Sequence, residues 1–185
     1  MPRVGLTIDV IVNEAAQIVD ADGQRLTLTE IAKRMGVAQP SLYKHIGGLD
    51  ELQAKLAVKA LRDIGDALRR SATGKARIDA LRAMANAYRG YARSHPGCFR
   101  YLLHTPEPCT KDYQLAGAAA MSVLYDVLEG YGITGESAVD AARVVHSAFH
   151  GFVSIENANR FQLPRSVDFS FERLVNALDQ ALATW

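Results

Sequence analysis

Apolar positions near the start of the chain recur with helical spacing. Ile8, Ile11, Val12, Ala15, Ile18 and Val19 share one face, and Gly23 stops the pattern after Asp22, which predicts a first helix over residues 7–22. Thr27-Leu28-Thr29-Glu30 then reads as a capping box, in which a threonine hydroxyl and a glutamate three residues on satisfy free backbone donors at a helix start. The second helix is expected from Leu28 to about Met35. Gly36 supplies the turn, Val37 returns the chain to the core, and Gln39-Pro40 opens a third short helix that is expected to end at Gly47-Gly48. Leu42 and Ile46 share the inner face of that helix, so Gln39, Tyr43 and Lys44, flanked by Ser41 and His45, are left facing outward.

Asp50 is placed to help start a longer helix whose apolar stripe is Leu52, Leu56, Leu61, Ile64 and Leu68, ending near Ser71. Such a helix spans about 34 Å at a rise of about 1.5 Å per residue, enough to join two modules. Further helical segments are expected near 75–94, 98–104, 111–131, 136–160 and 170–183. His95-Pro96-Gly97, the stretch 105–110 with its two prolines, the 132–135 turn and Leu163-Pro164 separate them. No strand-like alternation and no internal repeat is found. The fold class is therefore all-α: an N-terminal three-helix head joined to a larger helical body, about nine helices in total. The expected division is 1–48 for the head, 49–74 for the linking helix and 75–185 for the body.

At 185 residues the chain can bury a core without staples, and its two cysteines, Cys98 and Cys109, show no metal-ligand spacing, as in a reduced cytosolic protein. Asp9 and Glu14 interrupt what would have to be the apolar core of a signal peptide, and no run of about 18 uncharged apolar residues occurs, so neither export nor a membrane span is expected. The net charge of +1 decides nothing by itself, but its distribution does. Residues 1–24 carry Asp9, Glu14, Asp20 and Asp22 against Arg3, whereas residues 25–45 carry Arg25, Lys33, Arg34 and Lys44 against Glu30.

A helix, a glycine-containing turn and a second helix opening on small hydrogen-bonding residues make a helix-turn-helix when the inner faces are apolar and the outer face is not. Ile31, Ala32, Met35, Val37, Leu42 and Ile46 supply the inner faces here. On the outer face, Gln39 can pair bidentately with adenine, Ser41 can donate or accept at a base edge, and the Pro40 ring can meet a thymine methyl. Tyr43, Lys44 and His45 fit phosphate contacts, which fix register without reading sequence. For each of these alone, a solvated or packed surface residue is the more ordinary reading, and it is their spacing on one face after a capped helix and a glycine turn that favours the functional one.

Residues 5–56, and above all the run from Leu28 to Ile46 with its Ile31-Ala32 pair, Gly36-Val37 turn and Leu42-Tyr43-Lys44-His45 close, resemble the DNA-binding head of the TetR family of regulators. The resemblance implies that Thr27, Gln39, Pro40, Ser41, Tyr43 and His45 face DNA, and Lys44 joins them on its chemistry. The chain departs from the pattern at Leu49, where many members carry a lysine that helps hold a phosphate. Asp50 and Glu51 also oppose phosphate binding by the next helix start, so Lys44 or Lys55 would have to compensate.

For residues 75–185 the resemblance implies a ligand-binding and dimerisation domain. His150-Gly151-Phe152-Val153, Phe161-Gln162-Leu163-Pro164 and Phe169-Ser170-Phe171 resemble one TetR subgroup with a tryptophan- or histidine-glycine pair on the penultimate long helix. In such regulators the last two helices pack across a two-fold axis, and Phe171, Leu174, Val175, Leu178 and Leu182 form a stripe suited to that; the same stripe also suits the chain's own core. Candidates for an apolar, aromatic effector pocket are Tyr88, Tyr91, Phe99, Tyr101, Leu102, Met121, Leu124, Tyr125, His146, Phe149 and His150, each of which fits a packed core equally well. His146 and His150 stand four residues apart, but His104 is remote and no carboxylate joins them, so no metal site and no cofactor is expected.

The sequence also lacks a phosphate-binding glycine loop, a nucleophile elbow and a His-Glu-x-x-His helix, so no catalysis is expected. The resulting expectation is a cytoplasmic, nucleoid-associated regulator. It binds double-stranded, palindromic operator DNA as a homodimer, acts as a repressor by family resemblance, and is released by a small, largely apolar or aromatic effector. The alternative is a helical ligand-binding or adaptor protein whose head has weakened DNA affinity.

Overall fold

A computed structural model describes residues 5–22, 26–103 and 105–185. Arg3, Gly23, Arg25 and His104 lie outside the described residues. Among the described residues every regular element is helical: α1 Ile8–Asp22, α2 Leu28–Met35, α3 Gln39–Leu42, α4 Leu49–Ala72, α5 Arg77–Ser94, α6 Pro96–Phe99, α7 Lys111–Glu129, α8 Gly135–Asn157 and α9 Val167–Ala183, with a 3₁₀ turn at Arg100–Leu103 after α6. None of the helices is long and apolar enough to cross a membrane.

Local chemistry sets the element ends. The Thr7 hydroxyl accepts from the Val10 N–H at 3.3 Å to start α1. At α2 the Thr27 half of the capping box is made, its hydroxyl accepting from the Glu30 N–H at 3.2 Å. Gly36 ends α2 with φ +66°, the left-handed conformation that a side chain disfavours, and the Val37 N–H reaches back to the Ala32 carbonyl at 3.0 Å.

Two expectations at this end of the chain are corrected. The third helix does not run to Gly47-Gly48: α3 has only four residues and gives way to a turn in which the His45 and Ile46 N–H groups both donate to the Leu42 carbonyl. Four residues gain too few hydrogen bonds to propagate, and Tyr43 and His45 are only middling helix formers. The start of α4 is managed by Glu51 rather than Asp50, the Glu51 carboxylate accepting from the Gly47 N–H at 2.6 Å.

Contacts divide the chain into two compact units, the first containing the residues up to Arg62 together with Ser94–Gly117, the second Asp63–Arg93 together with Ala118–Trp185. The partition runs through α4 and α7 and places α6 with α1, whereas the expected divisions at 48/49 and 74/75 follow helix ends.

In the first unit Ile11, Ile18, Ile31, Leu42, Leu52 and Leu56 are fully buried. Against this core, α6 lies so close to α1 that a Cβ on Gly97 would stand 2.0 Å from the Val19 carbonyl oxygen. Asp20 fastens the same seam, its carboxylate accepting from the Cys98 N–H and from His95 Nδ1, each at 2.8 Å.

In the second unit the core is built on Leu81, Leu128, Val145, Val153 and Leu182, and one charged group enters it. Arg89, 7 % exposed, donates through Nε and Nη2 to Glu156 and through Nη2 to Asp168 at 2.7 Å, with its guanidinium 4.7 Å from the centre of the Phe171 ring. Arg93 also meets Glu156, at 2.8 Å. A buried cation is tolerable only with this degree of pairing, and the pairing ties α5 to α8 and to the start of α9.

The α9 stripe is a further correction. Phe171, Val175, Leu178 and Leu182 are buried inside their own unit and Leu174 is half-buried, with Phe171 against Phe149, Phe152 and Arg89. The stripe is taken up by the chain's own core and is not free for a second subunit.

Two stability outcomes follow from these contacts. Gly97→Ala is expected to lose roughly 1–3 kcal/mol in urea unfolding, the range for forced overpacking, since the atom it meets is backbone and cannot swing aside. Arg89→Ala is expected to lose roughly 1–3 kcal/mol, because it strips the half-buried Glu156 carboxylate of its main partner and leaves it only Arg93. Arg89 first, and Arg93 after it, hold the Glu156 carboxyl below the usual carboxylate range against the opposing effect of burial. A carboxylate with a depressed folded pKa adds stability above its unfolded value and gives it up as the pH falls through the folded one. The melting temperature should therefore drop as the pH falls below about 4.5, the ordinary glutamate value, and Glu156→Gln should flatten that drop.

Candidate nucleic-acid interface

The first unit presents the expected DNA-facing residues on the segment from the start of α2 to the turn after α3. Leu42 and Ile46, 0 and 2 % exposed, anchor this segment and leave its other side to solvent. Pro40, Tyr43, Lys44 and His45 are exposed, Tyr43 at 53 % in spite of its size, while Gln39 and Ser41 are half-buried. Thr27 is exposed as well, but its hydroxyl oxygen already serves as the α2 cap. The seven expected positions therefore lie on one short stretch of surface, with Thr27 in a structural role in addition to any contact with DNA.

One residue that sequence reasoning passed over joins them. The Thr29 hydroxyl, exposed on the first turn of α2, donates to Gln39 Oε1 at 3.1 Å. No pattern in the sequence links positions ten apart across a turn, so only the folded geometry reveals the pair.

The charge of this surface is smaller than the sequence count. Arg34 is held by Glu14 of α1 at 2.8 Å and pins α2 to α1 instead of standing free for a phosphate. Lys33 and Lys44 are exposed, while Lys55 is half-buried. At the start of α4, Leu49 is half-buried and the Glu51 carboxylate sits on the Gly47 N–H, so this helix start presents negative charge where a phosphate would come.

The candidates for an effector pocket separate between the units. Phe99, Tyr101 and Leu102 belong to the first; Tyr88, Tyr91, Met121, Leu124, Tyr125, His146, Phe149 and His150 belong to the second. Within the second, Tyr88, His146, Phe149 and His150 form an aromatic cluster, the Tyr88 hydroxyl lying 2.8 Å from His150 Nδ1 and the two imidazole centres 5.9 Å apart. Burial pushes both histidines below their ordinary pKa, and His146 adds to the shift at His150, so both rings are neutral at pH 7 and offer hydrogen-bonding edges rather than charge. Tyr91 and Leu124 are buried and Met121 half-buried, whereas Tyr125 is turned to solvent. An open cleft of about 200 Å³ in the same unit is lined instead by Arg69, Thr73, Lys75, Val123, Asp126 and neighbours, none of them an expected pocket residue. No three potential metal ligands come together among the described residues.

Comparison with known proteins defines the class. The fold is that of ActR, a TetR family protein of Streptomyces coelicolor whose crystal structure contains (S)-DNPA, with a TM-score of 0.71, 18 % identity and 98 % of each chain covered. In sequence, the chain is 39 % identical over 155 residues to the uncharacterized HTH-type transcriptional regulator Rv0681 of Mycobacterium tuberculosis, covering 82 % of this chain and 70 % of that protein. It is 31 % identical over 183 residues to the uncharacterized HTH-type transcriptional regulator YobS of Bacillus subtilis, covering 96 % and 95 %. Residues 81–178 match the family described as tetracyclin repressor-like, C-terminal domain. The chain belongs to the TetR family of helix-turn-helix transcriptional regulators, a family of DNA-binding regulators and not of enzymes.

Proposed function

We propose that this regulator is a dimeric repressor that grips a palindromic operator, with Gln39, Pro40 and Ser41 at base edges and Tyr43, Lys44 and His45 on phosphates. The observation that carries this is the outward, largely solvated presentation of those residues on a segment anchored from beneath by Leu42 and Ile46. Release is assigned to a small, largely apolar or aromatic effector recognised in the second unit, where the neutral Tyr88, His146 and His150 edges stand among apolar side chains. The (S)-DNPA bound to ActR supports a small-molecule effector for a chain of this fold.

The partner is a second copy of the chain. With the Phe171–Leu182 stripe buried, the two-fold contact is assigned to the opposite faces of the last two helices: Val144, Ser147, Gly151 and Ile155 on α8, and Phe169, Ala177 and Ala181 on α9, all exposed. Small residues allow close helix approach, and a Cβ on Gly151 would meet nothing within 4 Å in the single chain. Gly151→Arg is expected to convert the dimer to monomers in sedimentation and to abolish tight operator binding while far-UV circular dichroism keeps its helical content. A dimer that persists assigns the interface elsewhere.

The alternative, a ligand-binding helical protein with weakened DNA affinity, draws on Arg34 being neutralised and on Glu51 occupying the α4 start. Salt dependence separates the two. In a selection from random duplexes at moderate salt, the repressor reading expects one enriched palindrome. Lys44→Ala should then weaken all sequences alike and lower the slope of log affinity against log salt by about 1. Failure of the wild-type protein to enrich any sequence overturns the repressor reading.

A further inference from the structure

We propose that Thr29 is a positioning residue that sets base preference: by holding Gln39 Oε1 it makes Gln39 a reader of guanine instead of adenine. The inference rests on the reading that α3 meets base edges.

A free glutamine amide presents an acceptor and a donor side by side, which matches the N6 donor and N7 acceptor of adenine in the major groove. Here one of the two acceptor sites of Oε1 is already engaged, so a bond from adenine N6 would have to share the oxygen with Thr29 and fit the orientation that Thr29 imposes. Thr29 Oγ1 donates to Gln39 Oε1 at 3.1 Å, and among the described residues the two N–H groups on Nε2 have no protein partner. To serve adenine with both edges, Oε1 would have to accept from N6 while still held by Thr29. To serve guanine, whose O6 and N7 are both acceptors, only the nitrogen is needed. The Thr29 bond also fixes the amide before DNA arrives, so less side-chain freedom is lost on binding. Because α2 and α3 are joined through the Gly36 turn and locked by buried Ile31 and Leu42, the donor and the amide are held by rigid elements on both sides.

The test is a random-duplex selection with the full chain as wild type, Thr29→Val, Thr29→Ser and Gln39→Glu. Wild type should enrich guanine at one position of each half-site, and Thr29→Ser should keep it. Thr29→Val, which is isosteric but cannot donate, should move the guanine-to-adenine ratio at that position roughly tenfold toward adenine. Gln39→Glu keeps an acceptor for Thr29 but has no N–H, so it should lose the guanine preference; its retention overturns the proposal without reliance on Thr29→Val. Adenine in the wild type, or an unchanged preference in Thr29→Val, also overturns it while leaving the repressor reading intact. A uniform loss of affinity in Thr29→Val with no change of base makes Thr29 a direct backbone contact and overturns the positioning role. A wild-type protein with no preference at any position overturns the repressor reading and this proposal with it.

Discussion

A four-residue helix cannot hold itself, because nucleation costs more backbone freedom than so few hydrogen bonds return. The place of α3 is therefore fixed from outside, by Leu42 and Ile46 buried beneath it and by the Gly36 turn that delivers it from α2. The placement of Gln39 through His45 depends on that anchoring. The shortness has a use: with little regular helix to satisfy, nearly every residue after Ala38 is either an anchor or surface. The same economy holds at α6, also four residues long, which is held by contact with α1 through Gly97 and by the Asp20 carboxylate on the Cys98 N–H. Two elements too short to be stable alone are thus both seated on the first two helices of the chain.

The second unit meets a different constraint. Its core admits a guanidinium, and the cost of desolvating Arg89 is offset only because Glu156 and Asp168 converge on it and Phe171 lies against its face. This explains the orientation of α9. With Phe171 drawn inward by Arg89 and by the Phe149 and Phe152 rings, the helix must bury Val175, Leu178 and Leu182 as well, since they share its face. The opposite face, with Phe169, Ala177 and Ala181, is left over.

Periodicity and capping residues made most of the elements legible in the sequence: α2 begins after Thr27 and ends before Gly36 as its residues dictate, and α5 through α9 fall within a few residues of their expected spans. Where expectation and structure part, the deciding partner is distant in sequence or the pattern is silent on what it faces. Nothing near Arg34 announces that Glu14 will neutralise it, and nothing near Asp20 announces α6, more than seventy residues on. Periodicity identified the α9 stripe correctly as a face but carries no information on whether its own chain or another covers it. The end of α3 was misplaced for a related reason, since Leu42 and Ile46 keep helical spacing whether the backbone between them is helix or turn.

The charge inventory bears on how a protein like this could bind DNA tightly. With Arg34 paired and the α4 start made acidic by Asp50 and Glu51, the described cations left exposed near α3 are Lys33 and Lys44. Each neutralised phosphate contributes through counterion release, so the two cations described beside α3 give by themselves only a small electrostatic share of affinity. On the proposed reading two consequences follow. A larger fraction of the binding must come from base edges, where a pre-set amide at Gln39 gains most by not having to be ordered on contact. The remainder must come from joining two heads, since the second then binds at the effective concentration set by the first. If the exposed faces of α8 and α9 are what join two copies, as proposed, those faces serve DNA binding as directly as α3 does, because pairing supplies what Lys33 and Lys44 alone do not.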